Sequence, residues 1–226
     1  MPKVSLDPDV QRLLRFLSAL SANNDRRWFA DHRAEYDYLW QWWNDAVQRL
    51  IDRVAQFDDE AEGLQARDCV FRIYRDIRFS PDKRPYKDHF GAAIGRGGRQ
   101  CKRSSYYLHI SPGECHIVAG IWSPDTHVLT ALRRAIDDNF DEWRSIVEAP
   151  EFAKRFEMWG RSLKTAPKGF DKASPALPYL RMKEYCFDHR PEPAFFTTDW
   201  IERVASLFKM LKPMNDFLNF TLDEEL

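Results

Sequence analysis

The densest group of charged and aromatic side chains in this 226-residue chain lies at positions 71–90, with the sequence FRIYRDIRFSPDKRPYKDHF. Arginine presents a planar fork of donors that fits phosphate or carboxylate oxygens, and lysine adds a compact positive charge. The segment therefore predicts a binding site for an anionic, phosphate-bearing ligand. The candidate ligand-binding residues are Arg72, Tyr74, Arg78, Ser80, Asp82, Lys83, Tyr86 and Lys87.

Within this set we expect the cations to neutralise the ligand and the two tyrosines to orient it. Asp76 lies between Arg75 and Arg78, where a carboxylate can position guanidinium groups or, if partly desolvated, act as a base. A structural interpretation stays open beside the functional one. Asp76 and Asp82 would then pair with the neighbouring cations and hold the segment together without any ligand.

A second possible centre involves His109 in the segment YYLHI. Because successive side chains alternate along a strand, His109 shares a face with Tyr107. If that face meets Asp76, the two residues form an acid/base pair suited to the hydrolysis of phosphoesters or related substrates. Asp76 and His109 are therefore the candidate catalytic residues, and whether the chain is an enzyme stays open.

The spacing of residues gives little support to other chemistries. HExxH and HxH metal motifs are absent, and the scattered cysteines contain no CxxC pair, so we expect neither a metal nor a cofactor. Nucleic acid is the less favoured partner because the isoelectric point is about 6.6. The rings that could stack bases on a sheet are Tyr74, Tyr86, Tyr106, Tyr107 and Trp122.

Charge is unevenly distributed along the chain. The net charge is −1, yet residues 67–103 contain 11 basic and 4 acidic side chains. Such a basic segment in a near-neutral protein indicates either an anionic partner or a dense network of internal ion pairs.

The sequence also bears on location. It has no apolar run near the roughly 20 residues that cross a bilayer, and its N-terminal residues lack the apolar stretch of a secretory signal. We therefore expect a cytoplasmic protein without membrane contact. The sequence does not indicate an oligomeric state.

The elements that position these side chains follow from apolar periodicity. Helices are predicted within 7–57 and 126–156, and a C-terminal helix is predicted over 198–218. A sheet is predicted over 67–122, with a further strand inside the otherwise irregular segment 160–193. The first strand, 71–79, would turn one face to the core and the other to the ligand. Its core-facing residues would be Phe71, Ile73, Ile77 and Phe79.

Together these elements predict a single α+β domain over residues 1–226. Its central, mainly antiparallel sheet would be packed by the N-terminal and C-terminal helices.

Several segments resemble the DUF2461 family. They are FRIYRDIRFSPDKRPYKDHFGA, YYLHISPGE and PKGFD, with NNDRRWF near the start and PMNDFLN near the end. The resemblance covers nearly the whole chain and implies one domain, but it implies no particular reaction. An interaction protein, in which the motif is only an internal ion-pair network, is therefore a further interpretation. The motif positions are Arg72, Tyr74, Arg75, Asp76, Arg78, Phe79, Ser80, Asp82, Lys83, Pro85, Tyr86, Lys87 and His109.

Overall fold

A computed structural model describes residues 6–225 of the chain. Residues 1–5 and 226, which the prediction of one domain includes, lie outside this range. The helices are α1 (Pro8–Ala22), α2 (Arg26–Asp31), α3 (Arg33–Val54), α4 (Ala66–Cys69), α5 (Thr126–Asp138), α6 (Phe140–Val147), α7 (Pro150–Ala153), α8 (Leu177–Leu180) and α9 (Trp200–Glu225). The strands are β1 (Phe90–Ile94), β2 (Ser105–Ile110), β3 (His116–Ile121), β4 (Glu157–Trp159) and β5 (Tyr185–His189).

The strands form one antiparallel sheet in the order β1–β2–β3–β5–β4. The predicted α+β class is therefore confirmed. Across the part of the chain that the structure describes, every helix is either too short or too polar to span a bilayer.

Short polar side chains set where several helices begin. Asp7 accepts hydrogen bonds from the backbone amides of the first turn of α1, Asp25 does the same for α2, and Asp125 caps α5. Such caps satisfy amides that have no partner inside the helix. Helices α2 and α3 are separated by a break at His32.

Long helices cover one face of the sheet. Phe90 of β1 meets Trp43 of α3 at a ring distance of 5.9 Å, and Tyr106 of β2 meets Phe208 of α9 at 4.8 Å. Because alternate residues of a strand share a face, these contacts identify the core side of the sheet. All three core-side residues of β1 are at most 1% exposed.

The second face of the sheet has a different character. In β2, Tyr106, Leu108 and Ile110 are buried, whereas the residues between them are partly exposed. The pairing of β2 with β1 and β3, and of β3 with β5, aligns polar and small residues across this second face. We call it the polar face, defined by Gly91, Tyr107, His109, His116 and Asp188.

The predicted strand at 71–79 is wrong. Residues 71–89, which we call the basic loop, contain no strand and only the isolated bridge between Tyr74 and Tyr86. A second bridge joins Val70 to Ala92 at the base of the loop. The two bridges are four residues apart on one side and six on the other, so a regular ladder cannot connect them.

Alternation of side chains also ends before the tip of the basic loop. Ile73 is buried, but Phe79, which was expected to face the core, is 94% exposed. Phe79 therefore has no apolar layer beneath it.

Candidate functional site

Ion pairs within the basic loop hold its tip together. Arg75 donates to Asp82 at 2.6 Å and to the carbonyl oxygen of Arg84 at 3.3 Å. Arg84 pairs with Asp82 at 2.8 Å, and Lys83 donates to the carbonyl oxygen of Ile77 at 3.0 Å. At the tip of the loop the cations therefore bind carboxylate and carbonyl oxygens of the loop itself, as the structural interpretation of the motif predicts.

Two of the three aspartates of the loop, Asp76 and Asp82, are held ionised by arginines. Hydrogen bonds from Arg78 lower the pKa of Asp76 to about 2. Hydrogen bonds from Arg84 and then Arg75 lower the pKa of Asp82 well below its usual range. A carboxylate this acidic is a weak base at neutral pH, which argues against the predicted base role of Asp76.

The structure does not bring Asp76 and His109 together. Asp76 is exposed in the loop and accepts three hydrogen bonds from Arg78, two of them from the guanidinium group. His109 lies on the polar face, where Nδ1 is 3.2 Å from the hydroxyl oxygen of Tyr107. No hydrogen bond joins the two predicted catalytic residues within residues 6–225.

The two tyrosines of the motif attach the loop to helix α2. The ring of Tyr86 stacks on Phe29 at 4.1 Å, and Tyr74 meets the edge of the same ring at 6.0 Å. Asn24 exchanges hydrogen bonds with the backbone of Tyr86 in both directions, each 3.1 Å long. Tyr86 is only 6% exposed, which leaves little of its ring for a ligand. Ser80 is half-buried.

Arg72 and Lys87, at the base of the loop, differ from the cations at its tip. Neither side chain forms a hydrogen bond or ion pair with another group in the described residues. The ammonium nitrogen of Lys87 lies 5.2 Å from the ring centre of Phe71. Burial lowers the pKa of Lys87, and the positive charge of Arg72 lowers it further. Two neighbouring positive charges therefore stand here without an ion pair to a carboxylate of the described residues.

Phe71 connects this cation pair to the polar face of the sheet. Its ring lies 6.0 Å from that of Tyr107 and nearly perpendicular to it. The hydroxyl of Tyr107 lies over Gly91, where a Cβ atom would come within 2.6 Å of it. Burial raises the pKa of Tyr107 to about 12, so this hydroxyl stays protonated. The absence of a side chain at Gly91 thus makes room for the ring.

A row of three histidines runs along the polar face from the cation pair. His89 stacks on His109 with ring centres 4.2 Å apart, and His109 meets His116 at 5.3 Å. Burial, followed by the charges of the other two histidines, lowers the pKa of His109 to about 3. His109 is therefore neutral at physiological pH and can contribute hydrogen bonds but no charge.

The row ends at a buried carboxylate that the sequence analysis missed. Asp188 of β5 is 3% exposed, and its Oδ2 accepts hydrogen bonds from Nδ1 of His116 at 2.9 Å and from Nε of Arg190 at 3.0 Å. Its Oδ1 is buried without a hydrogen-bond partner. The available signal was an acidic residue within the otherwise apolar run YCFDH. Alternation along β5 predicts which face of the sheet Asp188 occupies, but it does not predict which strand lies beside it.

Other candidate sites receive less support from the structure. No group of three or more histidine, cysteine, aspartate or glutamate residues in the described chain is arranged to hold a metal ion. Of the rings considered for base stacking, Tyr86 and Tyr106 are buried, and the exposed Trp122 stacks on Trp159 at 4.7 Å. A depression between α1 and α3 is lined by Arg12, but this arginine already pairs with Glu35 at 2.6 Å.

Comparison with known proteins gives a family but no activity. No curated protein and no solved structure matches the chain. A family described as a conserved hypothetical protein, DUF2461, matches residues 12–217. This range includes the basic loop and all five strands. The chain therefore belongs to the DUF2461 family.

Proposed function

We propose that this protein binds an anionic, phosphate-bearing ligand where the base of the basic loop meets the polar face. Arg72 and Lys87 supply the charge. The observation that supports the proposal most strongly is this pair of neighbouring cations, which has no acidic partner in the described residues. Lys87 is half-buried beside Phe71, so its ammonium group has lost part of its water.

The electrostatics favour an anion at this place. Like charges close together disfavour each other's charged form, and burial of a lysine adds to that cost. A phosphate between them would reverse both effects, because it supplies an opposite charge and several acceptor oxygens. Arg72 can engage two of those oxygens at once, and Lys87 can engage another.

The surroundings of the pair suit a ligand that also carries an apolar or ring-shaped part. The rings of Phe71 and Tyr107 lie beside the cations, and Tyr107 adds a protonated hydroxyl.

The tip of the loop has a different role in this proposal. Its cations are used in contacts with Asp76, Asp82 and backbone carbonyl groups, so the tip shapes the loop and leaves ligand binding to the base.

Calorimetric titration with phenyl phosphate tests the proposal. We expect Arg72→Met and Lys87→Met each to weaken binding about tenfold or more, the effect of losing one charge-assisted contact worth about 1.5–3 kcal/mol. Arg78→Met and Lys83→Met are matched controls, since they remove equal charge from the tip, and we expect their dissociation constants to stay within about twofold of the wild type. Equal weakening by all four changes, or none, would show that the pair is not a specific site.

A further inference from the structure

We infer that Lys87 is a nucleophilic amine, which forms a reversible imine with the aldehyde group of a phosphate-bearing ligand held by Arg72. The inference rests on the proposed function, because it assigns a covalent step to the ligand of the same site. It also names the class of ligand, a compound that carries both a phosphate and an aldehyde. Only the unprotonated amine of a lysine attacks a carbonyl carbon, so the surroundings of Lys87 must favour that form.

The backbone around Lys87 is fixed, whereas its side-chain nitrogen has no partner. The amide of Lys87 donates to the carbonyl oxygen of Ile73 at 2.8 Å, and the amide of Phe71 donates to that of Gly91 at 3.0 Å. These two bonds hold the arms of the basic loop together at its base. The nitrogen of Lys87 lies 5.2 Å from the ring centre of Phe71 and forms no hydrogen bond or ion pair within residues 6–225. Its lone pair is therefore available once the proton is lost.

Burial and a neighbouring charge favour the unprotonated amine. Partial burial beside Phe71 removes water from the ammonium group, and the positive charge of Arg72 repels it, so the pKa of Lys87 is lowered. Tyr107, whose ring meets Phe71, is protonated and adds no negative charge. Desolvation next to a second cation is one of the ways in which proteins make a lysine nucleophilic at neutral pH.

The other titratable groups near Lys87 do not reverse this effect. His89 on the same arm of the loop and His109 on β2 both have a lowered pKa, so both are neutral at physiological pH. The carboxylate of Asp88 lies 3.8 Å from a guanidinium nitrogen of Arg84 and 3.5 Å from Nδ1 of His89. Its charge is therefore directed to Arg84 at the tip of the loop.

The covalent step releases water and needs no further reactant. The lone pair of Lys87 forms a bond to the aldehyde carbon, and the π electrons of the carbonyl group move to its oxygen, which takes up a proton. This hydroxyl is protonated by solvent and leaves as water, while the nitrogen, which gives one proton back to solvent, forms the C=N double bond. The protonated imine keeps the positive charge at this position, so the phosphate stays attracted to it and to Arg72.

Arg72 supplies the binding contact that brings the aldehyde to the amine. Its side chain is exposed and has no ion pair in the described residues, so its guanidinium group can bind two phosphate oxygens. Holding the ligand beside Lys87 makes the attack effectively intramolecular, which raises its rate.

Reductive trapping with 2- and 4-formylphenyl phosphate tests the inference. Each probe is phenyl phosphate with an added aldehyde group, and cyanoborohydride reduces an imine to a stable amine that peptide mass spectrometry locates. With limiting probe at neutral pH, we expect at least one isomer to label Lys87 about tenfold faster than Lys83 and Lys212, the effect of one charge-assisted contact. Lys83 is an exposed lysine of the same loop, and Lys212 pairs with Asp216 at 2.6 Å.

Benzaldehyde, which has no phosphate, separates the reactivity of the amine from binding. As pH is lowered from about 10 to about 7, its labelling of Lys87 should fall less than its labelling of Lys83, because an amine with a lowered pKa loses its proton more readily. Arg72→Met should slow labelling by the formylphenyl phosphates about tenfold. Arg78→Met, the matched change at the loop tip, should leave that rate within about twofold of the wild type.

The outcomes distinguish this inference from the proposed function. If calorimetry shows phenyl phosphate bound through Arg72 and Lys87, but neither isomer labels Lys87 faster than the two reference lysines, the inference is overturned and the proposed function stands. An equal preference of benzaldehyde and the formylphenyl phosphates for Lys87 would also overturn it, because the phosphate would then have no part in the reaction. If phenyl phosphate does not bind, the proposed function fails and the inference fails with it.

Discussion

Nδ1 of His116 on β3 lies 2.9 Å from Oδ2 of Asp188 on the neighbouring strand β5, and the carboxylate is almost wholly buried. The contact joins His116, which is partly exposed on the polar face, to the buried carboxylate of Asp188. It also explains why Asp188 is tolerated between apolar neighbours, since a buried carboxylate needs donors of the kind that His116 and Arg190 provide.

Replacing this carboxylate should lower stability. Asp188→Asn keeps the shape but removes the charge that His116 and Arg190 bind, so we expect the free energy of unfolding to fall by about 1.5–3 kcal/mol. Urea denaturation at neutral pH measures the change. Asp76→Asn is the control, because its pair with Arg78 is exposed to solvent and should contribute far less to the free energy of unfolding. Equal effects of the two substitutions would contradict the assignment of Asp188 as a buried carboxylate that two donors bind.

Strand β3 leaves no space for a side chain at Gly120. This residue has φ of +137°, and a Cβ atom there would lie 1.9 Å from the carbonyl oxygen of Tyr185 on β5. We expect Gly120→Ala to destabilise the protein by about 2–4 kcal/mol, because backbone atoms of β5 must move and the residue is strained.

Gly113 in the loop between β2 and β3 is the matched control. The nearest atom to a Cβ there is the hydroxyl oxygen of Ser111, at 4.0 Å. Gly113→Ala should therefore change the free energy of unfolding by less than about 1 kcal/mol, in either direction. A thermal or chemical denaturation curve of Gly120→Ala that overlays the wild type would show that β3 and β5 do not approach this closely.

His109 should make stability depend on pH. Its pKa is lowered to about 3 in the folded protein from an ordinary value of 6.5, so between these values the unfolded chain binds a proton that the folded protein does not. Stability should then fall as pH decreases from 6.5 toward 3, with a slope from this group of at most about 1.4 kcal/mol per pH unit.

The comparison of wild type with His109→Gln isolates this contribution, because other titrating groups are common to both proteins. As pH is lowered from 6.5 to 4, we expect the free energy of unfolding of the wild type to fall more than that of the variant. A difference that does not change with pH would mean that His109 is protonated as readily in the folded protein as in the unfolded chain.

The ion pair between Arg75 and Asp82 should control the order of the loop tip. The backbone amide of Arg75 donates to the carbonyl oxygen of Pro85 at 2.9 Å, and its hydrogen exchange reports local opening. We expect Asp82→Asn to accelerate this exchange several-fold, because two arginines lose their shared carboxylate. Exchange at the amide of Phe71, at the base of the loop, should be unchanged, and acceleration at both places would mean that the loop opens as one unit.

Apolar periodicity predicted most of the fold. The α+β class is confirmed, and the sheet predicted over 67–122 contains β1, β2 and β3. Strand β4 is missed because it has only three residues, and the helix predicted up to residue 156 ends at Val147 with a separate turn of helix from Pro150. Strand β4 and the short helix from Pro150 each have too few residues to produce a pattern of apolar residues that can be recognised in one sequence.

The site was harder to predict, because alternation shows which side chains share a face but not what lies across from them. Arg78 and Arg72 look equivalent in the sequence, yet Asp76 neutralises the first and leaves the second without a partner in the described chain. His109 shares a face with Tyr107, as alternation predicts, but its other ring neighbours are two histidines. The carboxylate on the same face came from β5, which lies more than 70 residues further along the chain.

A crystal structure with bound tungstate, a phosphate analogue that anomalous scattering locates, tests the central claim most directly. The account predicts one ordered anion within hydrogen-bond distance of both the guanidinium group of Arg72 and the ammonium group of Lys87, beside the ring of Phe71. Loss of that peak in crystals of Arg72→Met would support the assignment. Tungstate found only at the exposed cations of the loop tip, with none between Arg72 and Lys87, would contradict it.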